Sequence, residues 1–201
     1  MIMRLLLFVK HHLTFIWKGV EFFNGRLFQI FYRKQFLGST DSICQKYSTD
    51  TLQMRLLQEA DLKKLSDFFK KQPAESYQYF KPHGFELQDL EKIYRNPAFM
   101  MFGVFKQDTG ELCGYFMMRF FVNRKCFVGF LVDVEARGQG IAGKMGRVML
   151  DICWDNHFTA LATVSRKNEA AIQAYRKLNN FSVQKELPND YICIKYEKEI
   201  N

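Results

Sequence analysis

Three apolar runs separated by short polar turns occupy the middle of the chain, and they limit the folds open to it. AFMMFGVFK (98–106) and LCGYFMMRFFV (112–122) flank DTGE, a turn with a glycine in it, and NRK then leads into CFVGFLVDV (126–134). Runs of this length, rich in Phe and Val and bounded by turn residues, are strand signals, and their close succession predicts a hairpin followed by a third consecutive strand. On either side the period changes. TLQMRLL (51–57) alternates as a strand, while EADLKKLSDFFKKQ (59–72) has acids in its first turn, lysines in its last and a proline just after, which are helix signals. A second helix fits ELQDLEKIYRN, ended by Pro97. After these strands, Ile141, Met145, Val148, Met149 and Ile152 stand at helical spacing. ALATVS then reads as strand, NEAAIQAYRKLNN as helix, and FSVQKEL and YICIKYEK as two closing strands. The resulting order, βααβββαβαββ, predicts the α/β (α+β) class, a mixed sheet with helices on its faces.

The first 37 residues have a different character. They hold Arg4, Lys10, Lys18, Arg26, Arg33 and Lys34 against Glu21 alone, so +5 of the chain's +8 net charge sits there. At helical spacing Leu13, Ile16, Trp17, Val20, Phe23, Leu27, Ile30 and Phe31 form one stripe, with Lys10, Thr14, Lys18, Glu21, Gly25, Gln29 and Arg33 opposite. This predicts one amphipathic helix, or two broken at Asn24-Gly25. No apolar run approaches the roughly 18 residues of a membrane span, and the short LLLFV stretch with no small-residue cleavage site does not read as a secretory signal. Two readings stand side by side: the stripe enters a membrane surface while Lys and Arg meet anionic headgroups, or it covers an apolar face of the main domain or of a second subunit. The expected organisation is an appendage over 1–37, a linker over 38–50 (GSTDSICQKYSTD) and one domain over 51–201. With 201 residues, 48% of them hydrophobic, the chain has enough apolar mass for one core. Five cysteines in no C-x-x-C spacing argue for a reducing cytoplasm and against a disulfide frame or metal site. A nucleic-acid partner is not expected, because the basic residues lie mainly in the appendage.

The strand CFVGFLVDV leaves through EARGQGIAGK, a stretch with three glycines that opens a helix. Such a turn puts unobstructed backbone N–H groups at the positive end of a helix dipole and makes an anion site. The glycines at 138, 140, 143 and 146 do not fit G-x-G-x-x-G, and Lys144 is followed by Met145, so neither the dinucleotide nor the P-loop pattern is present. The hexapeptide Arg137-Gly138-Gln139-Gly140-Ile141-Ala142 resembles the [RQ]-x-x-G-x-[GA] loop of the GNAT superfamily of acetyl-CoA-dependent N-acetyltransferases. A second segment, SRKNEAAIQAYRKLNNF (165–181), is similar to that family's helix opened by an Asn, with a Tyr seven residues on. The likeness covers about residues 51–198. Asn180 stands where the family's close has Gly, as a residue that tolerates left-handed backbone, and Val134 stands where Pro is frequent.

The resemblance implies the GNAT acyltransferase fold, acetyl-CoA as co-substrate, no metal, and a set of roles. Backbone amides from Gly138 to Ala142 (Gly138, Gln139, Gly140, Ile141, Ala142), with Arg137 nearby, hold the pyrophosphate. Val132 and Val134, in the strand running to the loop, pair with the pantetheine arm, which Asn168 also bonds. Tyr175 protonates the departing thiolate, a role suited to a phenol that stays protonated at neutral pH. Asp133 and Glu135 are candidates for the base that deprotonates the amine, and His83 is another. Tyr79, Phe80, His83 and Phe85, in the loop before the acidic helix, are expected to wall the acceptor. F-x-P-H-x-F before that helix also resembles GNAT members of surface polysaccharide synthesis. The implied acceptor is a small-molecule primary amine, foremost a nucleotide- or lipid-linked amino sugar, handled in the cytoplasm at the inner face of a membrane. The alternative is a non-catalytic acyl-CoA-binding, membrane- or partner-binding module, and a homodimer is open to either.

Overall fold

A computed structural model describes the backbone of residues 14–198 and the side chains of residues 19–198. Two helices, α1 (Thr14–Phe31) and α2 (Arg33–Tyr47), precede strand β1 (Leu52–Leu56). Helices α3 (Leu62–Lys71) and α4 (Leu87–Tyr94) follow, then β2 (Phe99–Lys106), β3 (Leu112–Phe121) and β4 (Lys125–Val132). Next come α5 (Ile141–Asp155), β5 (Thr159–Ser165), α6 (Glu169–Leu178), β6 (Phe181–Leu187) and β7 (Tyr191–Tyr196). From residue 51 onward this is the order expected from the sequence.

The strands form one sheet in the order β1-β2-β3-β4-β5-β7-β6. Every pairing is antiparallel except β4 with β5. Helices cover both faces, which is why β2 and β3 read as near-continuous apolar runs. Along β3, Cys113, Phe116, Met118 and Phe120 enter the core beneath α2, α5 and α6, while Leu112, Tyr115 and Met117 enter a second core beneath α3 and α4. The five apolar positions expected on one face of α5 are all buried there.

The segment expected as a linker is not one. Residues 38–47 belong to α2, whose Phe36, Thr40, Ile43 and Cys44 are buried at helical spacing. Gly38, Ser39, Thr40 and Asp41 are poor helix formers, but burial outweighs propensity, and the hydroxyls of Ser39, Thr40 and Ser42 bond carbonyls three or four residues back. Asp151 on α5 holds α2 in place, accepting from Lys46 Nζ at 2.9 Å and Tyr47 Oη at 2.8 Å.

Nor does Asn24-Gly25 break α1, and the pair instead fastens the helix to the sheet. Asn24 Nδ2 donates to Phe120 O (2.8 Å), and its Oδ1 accepts from Val122 N (3.1 Å). A Cβ on Gly25 would stand 2.9 Å from Asn96 Oδ1 and 3.2 Å from Pro97 Cδ, so the missing side chain allows the close approach. The two helices part at Tyr32, between Phe28 and Phe36, both fully buried. Phe28 stacks on Phe120 with centroids 4.9 Å apart, and Phe36 packs edge-on against Phe120 at 4.4 Å. Deleting a buried phenyl costs about 3–5 kcal/mol. Phe28→Ala should therefore lower the unfolding free energy in urea by ~3 kcal/mol. A loss under ~1 kcal/mol would show that α1 is not part of the cooperative fold.

Candidate active site

The parallel pair is short. β4 and β5 are in register only at Lys125–Thr159, Cys126–Ala160 and Phe127–Leu161. Beyond that point β5 continues to pair with β7 as far as Ser165, and β4 runs on beside β3 alone. The strands therefore diverge, and between them lies a cleft of about 820 Å3 bordered by Val128 to Val132, Thr163 to Ser165, Asn168 and Tyr175. The backbone of β4 on this side has no strand partner, so it can pair with an extended guest. Gly129 stands in the unpaired stretch, where a Cβ would press on Met117 Cε (3.2 Å) and Phe80 Cε2 (3.4 Å). A glycine inside a strand marks such a close approach in sequence.

At one end of the cleft the chain turns through Asp133–Gly140 into α5. Gly138 (φ +80°) and Gly140 (φ +75°) are both left-handed, the conformation that glycine adopts without steric cost. Gly140 caps α5 without a side-chain bond, so the first amides of the helix have no capping partner and face outward as donors. Ala142, in that first turn, borders the cleft. Ile141 sends its side chain into the core, leaving only its backbone for a ligand. Arg137 reaches across the cleft mouth to donate to Ser76 Oγ at 2.9 Å. This donor set suits a pyrophosphate, and the apolar slot beyond it suits a pantetheine arm, so the residues present fit coenzyme A.

Asn168 has two parts to play. Its Oδ1 accepts from Ala171 N (3.1 Å) as the cap of α6, and among the described residues its Nδ2 donates to none. Tyr175 stands on the cleft wall, packed edge-on against Phe130 and Tyr196 at 5.9 Å each. Burial pushes its phenol up to about 12, so the hydroxyl keeps its proton throughout the physiological range.

Several expected site residues stand elsewhere. Asp133 does not border the cleft: its Oδ1 accepts from Glu135 N (2.9 Å) and its Oδ2 from Gln72 Nε2 (3.1 Å), which brace the turn. Gln72 also accepts from Val134 N (3.1 Å) through Oε1, so this buried amide stitches α3 to the turn. Val134 and Glu135 are exposed outside the cleft, which leaves Val132 as the bordering residue of the expected valine pair. His83 has both ring nitrogens engaged. Nδ1 donates to Gly84 O and Nε2 meets Tyr115 Oη, each at 2.7 Å. Burial lowers its pKa, and the neutral ring is a packing residue among Phe69, Phe85 and Tyr115. Phe85 lies in the same core, its ring 4.4 Å from Phe69. Tyr79 and Phe80 do border the cleft. Asn180 does not use left-handed backbone; its amide is bonded by Asn179 Oδ1 at 2.6 Å.

Sequence reasoning missed Glu75, Lys81 and Arg119, which border the cleft. Glu75 is the one carboxylate among the described residues that does. No local pattern marks these three, because a turn, a loop and a strand bring them together. Among the described residues no cluster of His, Cys, Asp and Glu is arranged to hold a metal ion.

Known proteins share this fold. The Acetyltransferase (GNAT) family model matches residues 63–181. Among curated protein sequences nothing matches the chain. Solved structures with the same fold include the GNAT domain of S. lividans PAT, with a TM-score of 0.63 and 14% identity over 72% of this chain and 89% of that one. The ribosomal-protein-S5-alanine acetyltransferase from Vibrio fischeri gives a TM-score of 0.62 and 14% identity over 75% and 94% of the two chains. The spermidine N-acetyltransferase from Vibrio cholerae, solved with CoA and spermine, gives 0.58 and 18% over 73% and 94%. With the family model spanning more than half of its length and the fold shared with these acetyltransferases, the chain belongs to the GNAT family of acetyl-CoA-dependent N-acetyltransferases.

Proposed function

We propose that the protein acetylates the primary amine of an amino sugar carried on a phosphate, nucleotide- or lipid-linked, in surface polysaccharide synthesis at the cytoplasmic face of a membrane. The observation that supports this acceptor is the makeup of the cleft's open half. Tyr79, Phe80 and Phe121 offer ring faces for a sugar, and Lys81 offers charge to a phosphate beside the single carboxylate of Glu75, while Arg119, which also borders the cleft, is held by Glu21 of α1. A polycationic acceptor calls for several carboxylates, since complementary potentials select partners. One carboxylate suits one amine.

In this reading the amine nitrogen, held near Glu75 and free of its extra proton, attacks the thioester carbonyl carbon. The C–N bond forms, the C–S bond breaks, and the departing sulfur takes the proton of Tyr175. Neither Asp133 nor Glu135 is in reach as the base, so the amine's proton leaves through water or Glu75. The amides of the glycine turn and the Asn168 amide hold the coenzyme.

Isothermal titration tests the reading in two stages. Acetyl-CoA should bind in the micromolar range, with ATP giving no heat. With acetyl-CoA saturating, a UDP-linked amino sugar should then be acetylated in preference to spermidine. Turnover of spermidine with none of the sugar nucleotide would overturn the acceptor assignment and leave the family assignment intact.

A further inference from the structure

The apolar stripe of α1 faces away from the protein. Val20, Phe23, Leu27, Ile30 and Phe31 repeat at helical spacing, and Phe23, Ile30 and Phe31 are 67%, 73% and 66% exposed, with Phe22 beside them at 58%. The residues packed inward are Gly25 and Phe28, with Asn24 and Tyr32 at the edge. Such a patch, on the order of 600 Å2 from the usual areas of these side chains, is as large as the largest apolar patch on a typical monomer. Covering the chain's own domain is therefore not the role of this face among the described residues.

Cations surround it. Phe22 shares a groove of about 960 Å3 with Arg26, Arg33, Lys92 and Arg95, whose acidic members are Glu21, Glu59 and Asp89. Lys34 is exposed on the next turn, and the Arg124 guanidinium lies 5.4 Å from the Tyr32 ring. Aromatic and branched side chains ringed by arginine and lysine suit the boundary between acyl chains and anionic headgroups. A symmetric dimer through the same face would bring together two copies of a patch in which Arg26, Arg33, Lys34, Lys92, Arg95 and Arg124 outnumber the carboxylates, a like-charge arrangement that interfaces avoid.

We infer that the outward face of α1 docks on an anionic lipid bilayer, with Phe22, Phe23, Ile30 and Phe31 entering the surface and Arg26, Arg33 and Lys34 meeting phosphate headgroups. Among the described residues no helix is long and apolar enough to cross a membrane, so the contact is interfacial. The docked helix is tied to the acceptor half of the cleft. Glu21 on α1 pairs with Arg119, and Asn24 bonds the backbone of Phe120, between the cleft residues Arg119 and Phe121. The inference deepens the acceptor reading and rests on it for its purpose, since a lipid-linked amine would then be offered beside the open end of the cleft.

The test uses the full chain and vesicles of phosphatidylcholine alone or with one third phosphatidylglycerol, without any acceptor, so that it fails independently of the acceptor assignment. The protein should sediment with the anionic vesicles and release as salt is raised. Phe23→Glu with Ile30→Glu should cut partitioning by about tenfold or more, and Arg26→Glu with Lys34→Glu should cut it while weakening its salt dependence. Acetyl-CoA affinity and melting temperature should be unchanged in both, since these side chains are exposed and lie outside the coenzyme cleft. Equal sedimentation of wild type and Phe23→Glu/Ile30→Glu would overturn the inference. So would absence of wild-type binding, whether the double variant then turned a dimer into a monomer, marking a subunit interface, or lowered the melting temperature, marking contact with another part of the chain.

Discussion

Gly140→Glu is expected to weaken acetyl-CoA binding by about 100-fold or more while leaving a folded protein. Gly140 has φ +75° and ψ 3°, and a Cβ there would meet no atom within 4 Å, so a side chain at this position projects into open space beside the turn. A glutamate would fill that space with a negative charge beside the amides that open α5. Hydrogen bonds from such donors to a charged group are worth ~1.5–3 kcal/mol each, and losing two corresponds to about 100-fold or more in affinity. Any non-glycine residue also carries ~1–3 kcal/mol of strain at this backbone angle. Gly140→Ala carries that strain without bulk or charge, so comparing the two by titration calorimetry and thermal melting separates blocked binding from a disturbed turn. Unchanged affinity in Gly140→Glu would remove the glycine turn from coenzyme recognition.

Tyr175→Phe should lower kcat by about 100-fold or more, the usual worth of a positioned general acid, with the dissociation constant for acetyl-CoA little altered. The ring's contacts with Phe130 and Tyr196 survive the substitution, and only the hydroxyl is lost. Because burial holds the phenol at about 12, above its ordinary value near 10, the acid form persists well beyond neutral pH. Tyr175 therefore adds no falling limb to the wild-type rate between pH 6 and 9. Stopped-time assays across that interval check both statements. A full rate in Tyr175→Phe would assign proton delivery to water, and an alkaline limb near pH 8 confined to the wild type would contradict the placement of Tyr175 in a dry wall.

Much of the fold from residue 51 on was legible because its signals are local. The hairpin and the strand after it announce themselves through turn residues between Phe- and Val-rich runs, and α5 through buried positions every three or four residues. The glycine turn was legible for the same reason, since left-handed backbone at Gly138 and Gly140 requires a residue without a Cβ. Tyr175 and Asn168 were singled out through a motif rather than through physics, and both border the cleft. Asp133, Glu135 and His83 were misplaced because closeness in sequence to the loop or the acceptor segment says nothing of where a side chain points. Asp133 turned back to cap its own turn, and His83 turned into the second core to meet Tyr115.

By itself the sequence determined the strand and helix order, the class of fold and the turn that can hold a phosphate, because each depends on contacts within about ten residues. Tertiary structure decided the rest. It made a helix of GSTDSICQKY by burying Phe36, Thr40, Ile43 and Cys44 against distant strands. It used Asn24-Gly25 to fasten α1 to the end of β3, so that the aromatic stripe was left outside. It also drew Glu75, Lys81 and Arg119 to one cleft from three elements whose separation in sequence carries no period. Periodicity records which face of an element is apolar, but only packing decides what that face meets.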